Sequence, residues 1–284
     1  MKNLLIRTLS GAVFVALMVA GVYIFPLMVV LLCAVACAGI YECSRLVCGP
    51  VDRLARGVMM TAAVALFAVV LYYGLQKSTF FFDARTVTLF AFMLTALTSI
   101  GALLLVLPVA ELFRHRPAPI EHIGSAFFAY CWIVLPLGLI AVMTRVSPPV
   151  VLAFFLLTWS YDTFAYLGGS LYGRNKMCGD ISPKKTWEGA VTGLLLALVV
   201  AIILPSIPFF GSLCAALWKW VVLAVLVVLF GTMGDLLESL IKRRAGVKDS
   251  GSVLPGHGGV LDRLDSMLMA SVPVLLYALF VMVP

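Results

Sequence analysis

Ten charged residues stand together in a chain that is otherwise greasy: Asp235, Glu238, Lys242, Arg243, Arg244, Lys248, Asp249, Asp262, Arg263 and Asp265. The whole chain of 284 residues has only 20 Lys and Arg and 13 Asp and Glu. The residue types suggest a use. Lys242, Arg243, Arg244 and Lys248 can hold phosphate oxygens, arginine as a bidentate fork and lysine as a point charge. Gly251, Gly256, Gly258 and Gly259 let backbone turn sharply and come close to a ligand. Asp235, Glu238, Asp262 and Asp265 offer the hard oxygens that magnesium prefers. Cations, glycines and carboxylates together fit phosphoryl or nucleotidyl transfer, in which catalysis is mostly positioning and charge neutralisation. A solvated basic loop beside a membrane explains the lysines and arginines alone. It does not explain the four acids and the Pro-Gly-His-Gly-Gly turn in the same segment.

A second polar stretch precedes it. Trp159-Ser-Tyr-Asp162-Thr-Phe-Ala-Tyr puts a carboxylate inside an apolar run. An acid in lipid is costly and so marks a functional candidate, unless it merely packs against Ser or Tyr neighbours. Ser182-Pro-Lys184-Lys185-Thr186-Trp-Glu-Gly follows. Ser-Pro signals a turn, and Thr186 is expected to cap the next helix. Lys184 and Lys185 then sit at a helix N-terminus, which favours phosphate. As a bland alternative, two lysines before a span only set topology. Asp235 and Glu238, spaced i, i+3, share one helix face, and Asp262 and Asp265 repeat that spacing. Two helix ends bearing two acids each could enclose a divalent ion.

These residues carry a resemblance. Ser239, Lys242-Arg243, Lys248-Asp249, Pro255, His257-Gly258-Gly259, Asp262-Arg263 and Asp265 match the long motif of the phosphatidate cytidylyltransferases, also called CDP-diacylglycerol synthases, without a departure. Asp162-Thr-Phe-Ala-Tyr and Ser182-Pro-Lys-Lys-Thr-Trp-Glu-Gly resemble a second region of that family. The resemblance covers the C-terminal half specifically and the rest only in its hydropathy. It implies transfer of a cytidylyl group from CTP to phosphatidic acid, with magnesium or another divalent cation as cofactor. On that reading Asp235 and Asp262 are the primary metal ligands, with Glu238, Asp265 and Asp162 secondary. Lys184, Lys185, Lys242, Arg243, Lys248 and Arg263 hold phosphates, and His257 orients a phosphate or the base. Ser182, Thr186, Ser239, Gly258 and Gly259 line the substrates. The two polar segments are expected to meet at one cytoplasm-facing site.

What must position these residues is a membrane protein. The chain is 63% hydrophobic and 12% charged, against roughly 25% charge in soluble domains. Nine apolar stretches are long enough to span, near 8–25, 27–47, 57–75, 88–108, 122–144, 149–169, 188–209, 214–237 and 265–283. Helices are expected, because lipid cannot satisfy bare backbone and nothing alternates like a barrel strand. The fold class is therefore all-α and polytopic, a single membrane-embedded domain over 1–284. Residues 1–148 are expected to hold little chemistry, and 149–284 to form the catalytic half. Lys2 and Arg7 before an apolar run resemble a signal peptide, but no clear cleavage site follows, so a retained first span is expected. Phe25-Pro26 is the whole boundary between the first two spans. Glu42 is expected to pair with Arg45 at the interface, without a catalytic role.

With the N-terminus in the cytoplasm, 16 of the 20 lysines and arginines fall inside, the positive-inside pattern of an inner cell membrane. The net charge of +7 therefore reflects topology, and no nucleic acid partner is expected. The expected partners are CTP, phosphatidic acid and membrane lipid, and a homodimer is compatible with them. The seven cysteines form no C-x-x-C pair and read as small core residues, without disulfide or zinc. A transporter would also place acids in spans but leaves the glycine-rich cationic loop unexplained, and no internal repeat supports it. A CTP-using lipid kinase, such as a polyprenol kinase, would need similar parts. A CDP-alcohol phosphotransferase lacks its Asp-Gly-x-x-Ala-Arg motif here.

Overall fold

A computed structural model describes residues 2–47, 53–76, 83–114, 117–211, 213, 216–251 and 258–283, with side chains from residue 11 onward. His257 lies outside the described residues. Among those described, eight helices are long and apolar enough to cross a membrane: Phe25–Leu46, Arg53–Leu75, Ala84–Arg114, Pro119–Val146, Pro148–Tyr172, Trp187–Ser206, Leu217–Arg244 and Asp265–Met282. A first helix, Lys2–Tyr23, adds the shorter apolar stretch Gly11–Tyr23. The all-helical polytopic architecture agrees with the hydropathy of the sequence.

The chain divides into two compact units, Met1–Val146 with Ala245–Asp262, and Ser147–Arg244 with Arg263–Pro284. In the first unit α1 (Lys2–Tyr23) stops one residue before α2 (Phe25–Leu46). Ile24 alone leaves helical geometry, with φ −117° and ψ 85°. Pro26, in the first turn of α2, lacks only an N–H that would be orphaned there anyway. The break therefore precedes the Phe25-Pro26 pair rather than falling on it. Then come α3 (Arg53–Leu75), α4 (Ala84–Arg114) and α5 (Pro119–Val146). Helix α5 is the centre of this unit and packs on α2, α3 and α4. Its buried face includes Tyr130, Ile133, Leu137, Ile140 and Met143. Tyr130 answers its own burial by donating to Ser99 Oγ at 2.8 Å. Gly138 makes room for Phe92 and Leu66, which an added Cβ would meet at 2.7 and 2.9 Å.

The second unit begins with α6 (Pro148–Tyr172). A short antiparallel hairpin follows, β1 (Lys176–Cys178) with β2 (Ser182–Thr186), paired Lys176 to Thr186 and Cys178 to Ser182. The sequence reading had only a turn here. Next are α7 (Trp187–Ile203), the four-residue α8 (Pro208–Gly211), α9 (Leu217–Arg244) and α10 (Asp265–Tyr277). Helix α7 packs on α6 and α9, and α9 packs on α10. The α6–α7 contact is built from small residues, as helix pairs in lipid often are. An added Cβ on Gly189 would meet the Ala165 carbonyl at 2.6 Å, and one on Gly193 would meet the Tyr161 ring at 2.7 Å. At the far end of α9, Lys219 Nζ donates to the Val281 carbonyl at 2.7 Å, and Tyr277 returns a bond to the Lys219 carbonyl at 3.1 Å.

Candidate active site

The apolar stretch read near 214–237 forms a helix, α9, that continues to Arg244. Asp235 and Glu238 therefore lie inside the helix, away from the unfavourable C-terminal end of its dipole. Lys242, Arg243 and Arg244 occupy the last turn, where cations complement that end. One step before Asp235, Gly234 faces the first turn of α10. A Cβ there would overlap the Asp265 carbonyl oxygen and meet Met269 Cβ at 3.0 Å. This glycine lets the two helices close to backbone contact and sets Asp265 beside the acids of α9.

The result is a cluster of three carboxylates. One oxygen from each of Asp235, Glu238 and Asp265 lies within 4.8 Å of the others. Two lysines meet it. Lys185, from β2, puts Nζ 2.7 Å from Asp235 Oδ2, and Lys242, one turn on along α9, puts Nζ 2.5 Å from Glu238 Oε2. Glu238 is fully buried, and a buried carboxylate is tolerated only when paired. Lys185 also reaches the Thr232 carbonyl at 3.4 Å. The Thr232 hydroxyl donates to the Val228 carbonyl at 2.7 Å and meets the Tyr161 hydroxyl from α6. Asp162, on α6, accepts from Ser266 Oγ of α10 at 3.2 Å. Asp235, Glu238 and Asp162 all act electrostatically on Asp265. Fully ionised, these four acids would carry two more charges than the two lysines balance. The donor set is all hard oxygen, so the residues fit a magnesium-like divalent cation.

The hairpin that carries Lys184 and Lys185 is anchored by Glu188. Its carboxylate accepts from the Arg174 and Asn175 amides at 3.2 and 3.1 Å and from Asn175 Nδ2 at 2.8 Å. Thr186 caps α7 as expected, accepting from the Gly189 amide at 3.2 Å. Arg243 Nε reaches the Ile181 carbonyl at 3.3 Å, and Ser239 Oγ donates to Asp235 Oδ1 at 3.4 Å. Ser182 is half-buried at the start of β2, while Lys184 and Arg263 are exposed.

The glycine-rich loop belongs to the first unit. Lys248 is exposed there, and Gly258 takes φ +83°, the left-handed geometry that favours glycine. Asp262 organises this loop. Its Oδ2 accepts from the Ser250 amide at 2.9 Å, the Gly259 amide at 2.8 Å and Ser250 Oγ at 3.0 Å. Glu42 shows a larger departure from expectation. It is 2% exposed and accepts from this loop at three atoms: Ser250 Oγ, the Val260 amide and the Leu261 amide, at 3.0, 3.0 and 3.1 Å. Arg45, its expected partner, instead lies over the Tyr41 ring, 5.7 Å from the centroid. Sequence reasoning missed Glu42, Glu188 and Gly234. The signal for Glu42 was present, an acid within an apolar span.

Comparison with known proteins identifies a family. The sequence profile of the cytidylyltransferase family matches residues 5–282. A phosphatidate cytidylyltransferase of Staphylococcus saprophyticus subsp. saprophyticus is 46% identical over 114 residues, which is 40% of this chain and 43% of that protein. One from Haemophilus influenzae is 43% identical over 129 residues, 44% of each chain. One from Staphylococcus aureus is 45% identical over 114 residues, 40% of this chain and 43% of that protein. The match spans less than half the length of these relatives. The profile covers nearly all of this sequence, and the chain belongs to the cytidylyltransferase family.

Proposed function

We propose that this protein transfers a cytidylyl group from CTP to phosphatidic acid, giving CDP-diacylglycerol and pyrophosphate. The observation that carries the reading is the Asp235–Glu238–Asp265 cluster with Lys185 and Lys242 upon it, in a membrane-spanning chain of a cytidylyltransferase family. An oxygen of the lipid phosphate attacks the α-phosphorus of CTP. The new P–O bond forms as the bond from that phosphorus to the oxygen bridging the β-phosphate breaks, and pyrophosphate leaves with the electron pair. The nucleophile is a phosphate monoester with a second pKa near 6, so neither a serine nor a strong base is needed.

Asp235, Glu238 and Asp265 would hold a magnesium ion, and Asp162 supports them across Ser266. When bound, the ion neutralises negative charge on the triphosphate. Lys185 and Lys242 supply positive charge beside the acids, and Lys184, Arg243, Lys248 and Arg263 hold phosphate oxygens. Bringing two anionic substrates together against their repulsion is the larger part of the work. The active-site loops would face the cytoplasm from the inner cell membrane, since the basic residues gather on them. A homodimer belongs to the same reading and is open to light scattering in detergent.

The test is purified protein with phosphatidic acid, magnesium and CTP labelled at the α-phosphate. Label entering the lipid, with one pyrophosphate released per turnover, is expected. Label entering lipid only from γ-labelled CTP would identify a kinase instead, and uptake of substrate without product would identify a transporter.

A further inference from the structure

We propose that Glu42 is a positioning residue for the glycine-rich loop, and that its carboxylate on α2 fixes the backbone carrying Lys248, Gly258 and Gly259. The functional part of this inference rests on the cytidylyl-transfer reading; the anchoring part does not. Glu42 receives three hydrogen bonds from the loop and none of them is incidental. Two come from successive amides, Val260 and Leu261, one to each carboxylate oxygen. The third comes from Ser250 Oγ, on the other arm of the loop. One buried carboxylate therefore clamps both arms, on either side of residues 252–257.

The loop sequence is shaped around that carboxylate. A Cβ on Gly251 would stand 2.5 Å from Glu42 Oε1, and one on Gly259 would stand 2.5 Å from Glu42 Oε2 and overlap Ser250 Oγ. Both glycines are needed because the acid fills the space a side chain would take. Packing adds to the clamp. The open space at Gly39, almost one turn before Glu42, is met by Ile133 and Leu261 at 3.1 and 3.3 Å. Asp262 provides the second clamp, and the single Ser250 hydroxyl proton is shared between the two carboxylates, its oxygen 3.0 Å from each. An acid kept in an apolar span at this cost, with its partners among the described residues in one loop, sets loop geometry. Lys248 stands two residues before the clamped Ser250, and Gly258 directly precedes the clamped arm, so their positions follow from the clamp.

Glu42→Gln tests this in the full-length protein. The glutamine amide presents donor hydrogens to backbone amides that are themselves donors. Hydrogen exchange at the Val260 and Leu261 amides should accelerate by at least tenfold, while peptides from α3 and α4 keep their protection. CTP turnover should fall by about a hundredfold in kcat/KM, as expected for a displaced binding group, with the KM for CTP raised and the melting temperature in detergent little changed. Unchanged exchange at Val260 and Leu261 overturns the anchoring. Faster exchange with wild-type kinetics overturns the positioning role. A fall in activity that only tracks lost folded protein, at normal KM, does the same. If Glu42→Gln does not insert stably, Ser250→Ala decides in its place. It keeps both carboxylates and removes the hydroxyl between them, and the same paired change in exchange and KM is expected. A wild-type protein that transfers no cytidylyl group would sink the functional reading, while the exchange data would still judge the clamp.

Discussion

Lys185 Nζ lies 2.7 Å from Asp235 Oδ2, an ion pair that joins the hairpin β1–β2 to the middle of α9. Both side chains are partly exposed, at 20% and 33%, so the pair is worth little as a stabilising contact in itself. Its importance is geometric, because it sets a basic hairpin beside an acid cluster. Aspartate 235 is thus shared between an ammonium group and the ligand set proposed for magnesium.

That sharing makes the proposed metal site testable. Asp235→Asn and Asp265→Asn keep shape and remove one negative charge each. Each should lower turnover by about 3 kcal/mol, roughly a hundredfold, and raise the magnesium concentration needed for half-maximal activity. A magnesium titration of each variant, beside a melting curve, checks this. Wild-type magnesium midpoints in both would remove the metal site from the mechanism.

The lysines proposed to hold phosphate are open to a kinetic test. Lys184 and Lys248 are exposed, so truncation should leave folding alone. Lys184→Ala and Lys248→Ala should each remove one charge-assisted contact worth about 1.5–3 kcal/mol, a ten- to hundredfold loss in kcat/KM. Unaltered kinetics in both would leave these lysines as topology signals.

Gly234→Ala probes the close approach of α9 and α10. Its Cβ has no room beside the Asp265 carbonyl and Met269. Overpacking at such a contact costs about 1–3 kcal/mol. The melting temperature should fall, and the magnesium midpoint should rise because Asp265 is pushed from Asp235 and Glu238. An unchanged midpoint in a destabilised protein would separate packing from the metal site.

Orientation is the fourth prediction. Asp180 and Val247 are exposed, whereas Ser250 is 6% exposed and hydrogen-bonded and would report poorly. Single cysteines at Asp180 and Val247, in a background lacking the native seven, should resist an impermeant thiol reagent in intact cells and react once the membrane is opened. Labelling of Val247→Cys in sealed cells would reverse the proposed topology.

The spans were legible because twenty-odd apolar residues leave few alternatives in lipid. The acids of α9 were legible because charge there is rare. What escaped was set by tertiary contact. The hairpin Lys176–Thr186 has no apolar alternation, and Glu188 and the Trp187 amide, which donates to the Asn175 carbonyl at 3.0 Å, tie it down from the next helix. The spacing of Asp262 and Asp265 suggested a shared role, yet Asp262 closes a 3-10 turn, Leu261–Arg263, and bonds its own loop, while Asp265 opens α10. Glu42 looked like a surface partner of Arg45, because its partners among the described residues are over 200 residues away.

That separation bears on how the protein is made. Ser250 follows Glu42 by 208 residues, and Leu261 follows it by 219. At synthesis rates of about 5–20 residues per second, roughly 10–40 seconds pass between them. Throughout that interval the second helix carries a carboxylate whose described loop donors are not yet made. The N-terminal helices are therefore made and inserted well before the loop that bonds this acid.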